Sequence, residues 1–231
     1  MDNETPLSGV INLDKSAGMS SALAVKRVKR LLLRKTKVGH AGTLDPFATG
    51  VLVILVGKAT RLAERFMSEP KQYETTIKLG ATTETLDPAS AEIITPDAKP
   101  ASQERVLEAL QKFVGEIDQM PPVYSALKIA GQSAYKLARR GHEVKLESRK
   151  VRVYGIELMD YQWPLLQIRI DCGRGTYIRS IARDVGEALG VGGYLTALRR
   201  TRVGDCRAEQ AAQIEDLEKN GIDRYLQSAE C

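Results

Sequence analysis

The stretch GHAGTLDPFATGVLVILVG, residues 39–57, joins a glycine-rich turn to an uninterrupted run of six aliphatic residues. The run, 51–56, predicts a β-strand that is covered on both faces. The turn contains a single carboxylate, Asp45, followed by a proline that stiffens the backbone. A carboxylate held beside a buried strand can act as a nucleophile or a base. The alternative is an aspartate that only accepts hydrogen bonds from nearby backbone N–H groups, and this stretch alone leaves both open.

The rest of the chain mixes strand and helix patterns without a regular alternation of the two. Strand patterns cover 9–14, 73–80, 121–129, 151–159, 165–173 and 194–204. Helical patterns cover 22–34, 59–67, 102–114, 133–140, 178–189 (ended by Gly190) and a short polar segment near the C-terminus. Residues 81–101 are polar and contain prolines, which predicts a long loop. We therefore predict an α+β fold built on one large, mixed, mostly antiparallel sheet flanked by helices and loops.

The charge of the chain is positive and clustered. The net charge is +5, the sequence pI is about 9.1, and residues 26–37 hold seven basic side chains and no acidic one. On the helix predicted there, Lys26, Arg27, Arg30 and Arg34 lie opposite the apolar face. Such a surface favours a polyanion through phosphate contacts. A solvated basic face explains it equally well from the sequence alone.

Composition excludes several classes of protein. No apolar run approaches the roughly 20 residues that a transmembrane helix needs, and the polar N-terminus is unlike a secretory signal. Three widely spaced cysteines and two distant histidines give no metal-ligand cluster. We therefore expect a cytoplasmic protein with no metal and no cofactor.

Two further side chains are candidates for chemistry. Arg179, in GRGTYIRS (173–180), falls in the first turn of a predicted helix, where a cation opposes the helix dipole. A carboxylate partner or an RNA phosphate would favour it there, although it could equally be a surface arginine. Tyr73 lies on the apolar face of its predicted strand, a position that ordinarily belongs to the core.

Six motifs in order along the chain carry a resemblance to a known family. They are LDKSAGMSS (13–21), GHAGTLDPFATGVL (39–52), KQYETTIKLG (71–80), PPVYSALKI (121–129), GRGTYIRSIARDVGEALG (173–190) and LRRTRVG (198–204). Together, from about Gly9 to Gly204, they resemble the TruB family of tRNA pseudouridine synthases. The resemblance implies the pseudouridine synthase fold and the conversion of uridine 55 in the tRNA T loop to pseudouridine, through base flipping and without a cofactor or metal.

The resemblance also implies roles for individual residues. Asp45 would be the nucleophile that attacks the ribose or the uracil, and Arg179 would be the ion-pair partner that keeps it ionised. Tyr73 would stack on the target base and assist removal of the proton from C5. The remaining implied substrate-binding residues are His40, Lys15, Tyr177, Leu198, Arg27 and Arg30.

The same resemblance sets expectations for partners and domains. We expect the T arm of tRNA as partner, no membrane, no protein partner and a monomer. We also expect one catalytic domain over 1–231 with its core at about 9–204, because residues 205–231 are too short for the RNA-binding PUA domain of many relatives. Ala41 and Phe47 depart from the usual threonine and leucine. The alternative is a non-catalytic RNA-binding protein or tRNA-folding chaperone on the same fold, which we would expect to lack Asp45, Tyr73 or Arg179; all three are present.

Overall fold

The computed structural model describes residues 7–125, 127–129, 132–133 and 146–228, and the elements below refer to these residues. The helices are α1 (Ser21–Arg30), α2 (Ala63–Ser68), α3 (Gln103–Gln111), α4 (Ile178–Leu189) and α5 (Ile214–Asn220). Short 3₁₀ turns cover Gly57–Leu62, Ala208–Gln210 and Ile222–Tyr225. The strands are β1 (Gly9–Lys15), β2 (Val38–His40), β3 (Thr49–Val56), β4 (Lys71–Leu79), β5 (Ala81–Thr83), β6 (Glu92–Ile94), β7 (Gly115–Gln119), β8 (Lys128–Ile129), β9 (Gln132–Ser133), β10 (Arg149–Gln162), β11 (Leu165–Cys172), β12 (Gly193–Val203) and β13 (Cys206–Arg207). In the part of the chain that is described, no helix is long and apolar enough to cross a membrane.

The chain divides into two compact units. The first unit contains Met1–Tyr73 and Arg199–Cys231, and the second contains Glu74–Leu198. Strands β4 and β12 therefore each contribute residues to both units.

Strand β3 is the centre of the first unit. It pairs antiparallel with β1 along one edge, from Gly50 to Val56. Its other edge is shared, because β2 pairs with Ile54–Val56 and β12 pairs in parallel with Thr49 and Gly50. A Cβ on Gly50, whose φ is +99°, would lie 2.2 Å from the carbonyl oxygen of Arg200, so only glycine permits this close approach. All of Gly50–Val56 is buried, so both faces of the strand are covered, as the aliphatic run predicts.

The second unit contains the strand order β12, β4, β11, β10, β7. Strands β10 and β11 form an antiparallel hairpin, and β7 pairs antiparallel with β10. One face of β11 is buried and consists of alternate residues of the strand, namely Leu166, Ile168, Ile170 and Cys172. Helix α4 has the predicted bounds and ends at Gly190, whose φ of +76° closes the helix in the left-handed conformation.

These pairings confirm the predicted α+β class and its mixed, mostly antiparallel strands. The prediction of helix over 22–34 is too long, because α1 ends at Arg30. The amide of Leu31 bonds to the carbonyl of Val28, which tightens the last turn. Leu33 is 62% exposed, so a longer helix would have no apolar surface to pack against.

Two other boundaries differ from prediction. The segment 81–101 is not one long loop, because β5 and β6 pair within it as a two-stranded sheet. Helix α3 ends at Gln111 rather than at Val114, and its Leu107 is 40% exposed. Ser102 caps the helix, since its Oγ accepts a hydrogen bond from the amide of Arg105 at 3.4 Å.

The strand predicted over 121–129 is also wrong for its first half. Pro121 and Pro122 have no N–H to donate to a ladder, and Pro121–Ser125 contains no strand. The carbonyl of Tyr124 accepts a hydrogen bond from the side chain of Arg179 at 2.9 Å. Of the helix predicted over 133–140, Ser133 belongs to β9 and the other residues lie outside the described ones.

Candidate active site

Asp45 lies in the first unit, in the connection that leads from β2 into β3. The amide of Ala41 still bonds to the carbonyl of Val53, which continues the β2–β3 ladder by one step. The chain then leaves the edge of β3 and forms a turn in which the amide of Ala48 bonds to the carbonyl of Asp45 at 3.1 Å. The residue is half-buried, and the turn places it just before β3, which is buried from Gly50 to Val56.

The backbone on both sides of Asp45 is fixed by bonds from distant residues. On the N-terminal side, Ser21 Oγ donates to the carbonyl of Leu44 at 3.0 Å and accepts from the amide of Leu44 at 2.9 Å. On the C-terminal side, the amide of Gly18 donates to the carbonyl of Pro46 at 2.8 Å. Residues of the motif 13–21 therefore form hydrogen bonds with the backbone of the Asp45 loop, although the two segments are separate in sequence.

Lys15, at the end of β1, donates hydrogen bonds to the backbone of the same loop. Its ammonium donates to the carbonyls of Ala48 at 2.6 Å and Pro46 at 3.4 Å, and to the carbonyls of Ser16 and Met19 at 2.9 and 2.8 Å. The residue is only 1% exposed. Burial lowers the pKa of Lys15 to about 8; the carboxylates of Asp45 and Asp14 oppose this shift, whereas the charge of Arg200 adds to it.

Arg200 is a participant that the sequence analysis did not single out. It stands in the motif LRRTRVG (198–204) between Arg199 and Thr201, yet it is 2% exposed. Its Nε donates to the carbonyl of Val51 at 2.8 Å and its Nη2 donates to the carbonyl of Gly42 at 3.0 Å. Nothing in the local sequence distinguishes it from the half-buried Arg199 and Arg202, because its burial depends on the pairing of β12 with β3.

His40, the last residue of β2, is half-buried and close to Arg200. Its buried Nδ1 has no hydrogen-bond partner among the described residues. Burial lowers the pKa of His40, and the positive charge of Arg200 lowers it further. The imidazole is therefore neutral at pH 7.

The remaining predicted residues of the first unit are in β4 and α1. Tyr73 is 9% exposed and lies on the buried face of β4, as predicted. Arg27 forms a bidentate contact with Glu218 of α5 at 2.8 and 2.6 Å and a further ion pair with Glu215 at 3.1 Å. Arg30 is exposed at the end of α1. The basic face of α1 is thus partly neutralised within the unit.

Arg179 and Tyr177 lie at the start of α4 in the second unit. Arg179 is 4% exposed; its Nη1 lies 3.3 Å from Asp87 Oδ2 and 3.0 Å from the carbonyl of Thr85. A carboxylate partner therefore offsets the unfavourable position of this cation at a helix N-terminus, which was one of the explanations expected from the sequence.

The turn before α4 is fixed by Gln119, which is 1% exposed and was not predicted. Its side chain accepts from the amide of Tyr177 at 2.8 Å and donates to the carbonyl of Tyr177 at 3.1 Å. Leu198, the last residue of the second unit, is 7% exposed in β12. Within the described residues, no group of three or more histidine, cysteine or acidic side chains is placed to hold a metal ion.

Comparison with known proteins identifies the family to which these features belong. Residues 29–178 match the model of the TruB family pseudouridylate synthase N-terminal domain, and residues 179–229 match that of the tRNA pseudouridylate synthase B C-terminal domain. The chain belongs to the TruB family of pseudouridylate synthases. It is an enzyme of the isomerase class, and the family resemblance expected from the ordered motifs is confirmed.

Relatives in the TruB family cover nearly the whole chain. The tRNA pseudouridine synthase B of Phocaeicola vulgatus is 45% identical over 90% of this chain and 91% of its own length. That of Francisella philomiragia is 44% identical over 98% of this chain and 75% of its own length. Among solved structures, a chain of a Cbf5-Nop10-Gar1 complex matches with a TM-score of 0.71 and 30% identity, over 94% of this chain. This chain spans only 57% of that one, a little over half its length.

Proposed function

We propose that this chain is a tRNA pseudouridine synthase that converts uridine 55 in the T loop to pseudouridine with Asp45 as the nucleophile. The reaction detaches uracil from its ribose, turns it, and rejoins it through carbon. The curated relatives, which are named for the same activity, support the substrate class.

The observation that carries the proposal is the fixation of the backbone around Asp45. Alternate residues of the loop, Gly42, Leu44, Pro46 and Ala48, each have a carbonyl bonded to a donor outside the loop. A nucleophile gains most from such a scaffold, because a displacement of about 1 Å can cost roughly 10²-fold in rate. A turn-forming aspartate would need no such set of distant contacts.

The electrostatic surroundings suit an ionised carboxylate. The carboxylate of Asp45 and the ammonium of Lys15 interact, as the pKa of Lys15 reflects. We infer that Arg179 is the ion-pair partner that keeps Asp45 ionised and oriented, a role supported by the contacts that hold the Arg179 guanidinium to Asp87 and Thr85. A carboxylate near two cations remains charged at neutral pH, which a nucleophile requires.

Apolar and aromatic groups are proposed to receive the flipped base. Flipping a base costs a few kcal/mol, so stacking must compensate for the lost contacts in the RNA. In the proposal Tyr73 stacks on the uracil and assists removal of the C5 proton, and Leu198 packs against it. Tyr177 and the neutral His40 contact the nucleotide, and Arg30 and Arg27 bind phosphates.

The test is release of tritium from a T-arm RNA hairpin that carries C5-labelled uridine at the target position. The wild-type chain should release label, whereas Asp45→Ala and the isosteric Asp45→Asn should release none and still bind the hairpin. A hairpin with the target uridine moved by one position should not react. Wild-type chain that binds the hairpin without releasing label would favour the RNA-chaperone alternative instead.

The proposal also includes the cellular context and assembly of the enzyme. We infer action as a monomer in the cytoplasm, where the tRNA substrate is found. Light scattering on the free chain and on its hairpin complex measures the assembly, and a dimer in either state would contradict it.

A further inference from the structure

Arg200 is a buried cation whose charge is not matched by a carboxylate. The residue is 2% exposed, and among the described residues no carboxylate lies within ion-pair distance of its guanidinium. Burying a charged group without an ionic partner is costly, and an apolar side chain of similar size would avoid that cost. An arginine at this position therefore needs an explanation beyond filling space.

The edge of β3 supplies the explanation. Carbonyls two residues apart on a strand point to the same edge. Those of Val53 and Val51 therefore both face the edge of β3 with which β2 pairs, beyond the point where β2 ends. The amide of Ala41 donates a hydrogen bond to the carbonyl of Val53 at 2.9 Å, and the Nε of Arg200 donates one to the carbonyl of Val51 at 2.8 Å. The guanidinium thus continues the ladder at the point where the backbone turns away to form the Asp45 loop.

The same guanidinium also reaches the beginning of that loop. Its Nη2 donates to the carbonyl of Gly42 at 3.0 Å, while its backbone pairs with Gly50 at the end of the loop. The planar fork of arginine fixes the relative position of two acceptors, which a lysine ammonium does not do in the same way. One side chain therefore connects both ends of the segment that carries Asp45.

We propose that Arg200 is a positioning residue that sets the reactive conformation of the Asp45 loop by bridging Gly42 and Val51. The proposal rests on the proposed role of Asp45. It is distinct from the proposed role of Arg179, because both hydrogen bonds of the Arg200 side chain given above are to backbone carbonyls of the first unit. The charge of Arg200 also reaches its neighbours, since it lowers the pKa of both His40 and Lys15.

The experiment compares Arg200→Met and Arg200→Lys with Arg207→Gln, which removes an exposed arginine of the same unit. Tritium release from the labelled hairpin gives kcat and KM, normalised to the folded fraction. Arg200→Met should lower kcat by about 10- to 100-fold and change KM less than about threefold, because the loop loses its geometry while the RNA contacts remain. Arg200→Lys should lower kcat by about 3- to 10-fold, because one ammonium replaces the fork. Arg207→Gln should match wild type.

A second readout separates a positioning role from simple loss of stability. The chain has only two histidines, so in a His142→Asn background the ring proton signal of His40 can be followed alone by NMR. Arg200 is the charged group whose field lowers the pKa of His40. The pKa of His40 should rise in Arg200→Met and remain near its wild-type value in Arg200→Lys.

The outcomes that overturn the proposal are specific. Wild-type kcat in folded Arg200→Met overturns it, as does a loss of activity that only follows the unfolded fraction. If Arg200→Met does not fold, wild-type kcat in Arg200→Lys is decisive against it. Failure of the wild-type chain itself to release label would instead contradict the proposed function, and the His40 titration would still report on Arg200.

Discussion

The hydroxyl of Ser21 donates to the carbonyl of Leu44 and accepts from the amide of the same residue, at 3.0 and 2.9 Å. This reciprocal pair joins the first residue of α1 to the residue that precedes Asp45. Both groups are buried, so water cannot replace either bond. The N-terminus of one helix thus helps to hold the proposed nucleophile.

Ser21→Ala should therefore impair both stability and catalysis. Leaving the amide and carbonyl of Leu44 unsatisfied should lower the free energy of unfolding by about 1–3 kcal/mol, measured by urea denaturation. The kcat for hairpin turnover should also fall. Ser20→Ala is the matched control, since Ser20 Oγ caps α1 by accepting from Leu23 at 3.1 Å. It should cost about 1 kcal/mol of stability and leave kcat unchanged; equal kcat values for the two variants would contradict a role for Ser21 in holding the loop.

Asp87→Asn should weaken the support of Arg179. The side chains of Arg179 and Asp87 are 5% and 8% exposed, so the neutral amide would leave a buried cation without this partner. The free energy of unfolding should fall by about 3–5 kcal/mol. At a temperature where the variant is folded, kcat should fall by about tenfold or more because the guanidinium is less well oriented.

The control for Asp87→Asn is Glu157→Gln, which breaks an exposed ion pair with Arg169 in the same unit. It should change neither the denaturation midpoint nor kcat. A folded Asp87→Asn enzyme with wild-type kcat would show that Asp87 stabilises the unit without affecting the reaction.

Activity should decline as pH rises through about 8, the pKa to which burial lowers Lys15. Deprotonation removes the positive charge that interacts with Asp45. A pH profile of kcat measures this decline, and Lys15→Met should have lower activity at pH 7 and no such limb. An unchanged alkaline limb in the variant would assign that limb to another group.

The effect of Lys15 on stability has the opposite sign. Its pKa in the folded chain, about 8, is lower than the ordinary value of 10.5, so the unfolded chain binds more protons between these values. As far as Lys15 is concerned, the free energy of unfolding is lowest below pH 8 and increases up to about pH 10.5. Urea denaturation across this range measures the effect. The contribution of Lys15 should make the free energy of unfolding of the wild type increase with pH, and this contribution should be absent in Lys15→Met.

Glu218→Gln should strengthen tRNA binding. It removes the bidentate partner of Arg27 and leaves only the ion pair with Glu215, so a cation on the basic face of α1 is less neutralised. The affinity should increase, and the plot of log K against log salt should steepen by up to about one unit. Arg30→Gln should weaken binding and flatten the slope more than Arg27→Gln does, because Arg27 is already paired.

The control for Glu218→Gln is Glu209→Gln, which changes the net charge equally at an exposed site of the same unit. Filter binding or fluorescence anisotropy at several salt concentrations gives both quantities. Identical effects of the two glutamate variants would mean that only net charge matters and that the basic face of α1 is solvated surface.

The sequence predicted those features that depend on neighbouring residues. The aliphatic run of β3, the alternating face of β4 that carries Tyr73, and the bounds of α4 with Gly190 all follow from periodicity and backbone preference. It was less successful where polar segments form structure through pairing, as in β5 and β6, or where backbone groups bond outside a ladder, as at Tyr124.

The sequence by itself determined the family, the α+β class and the candidate residues Asp45, Tyr73 and Arg179, because ordered motifs and short-range patterns carry that information. Only the tertiary structure decided which cations are available and which hold the backbone. Arg200 is 158 residues from Gly42 in the chain, and Arg27 is 191 residues from Glu218. Burial and ion pairing of a charged side chain depend on such distant partners, so identical residue types in one basic cluster take different roles once the chain is folded.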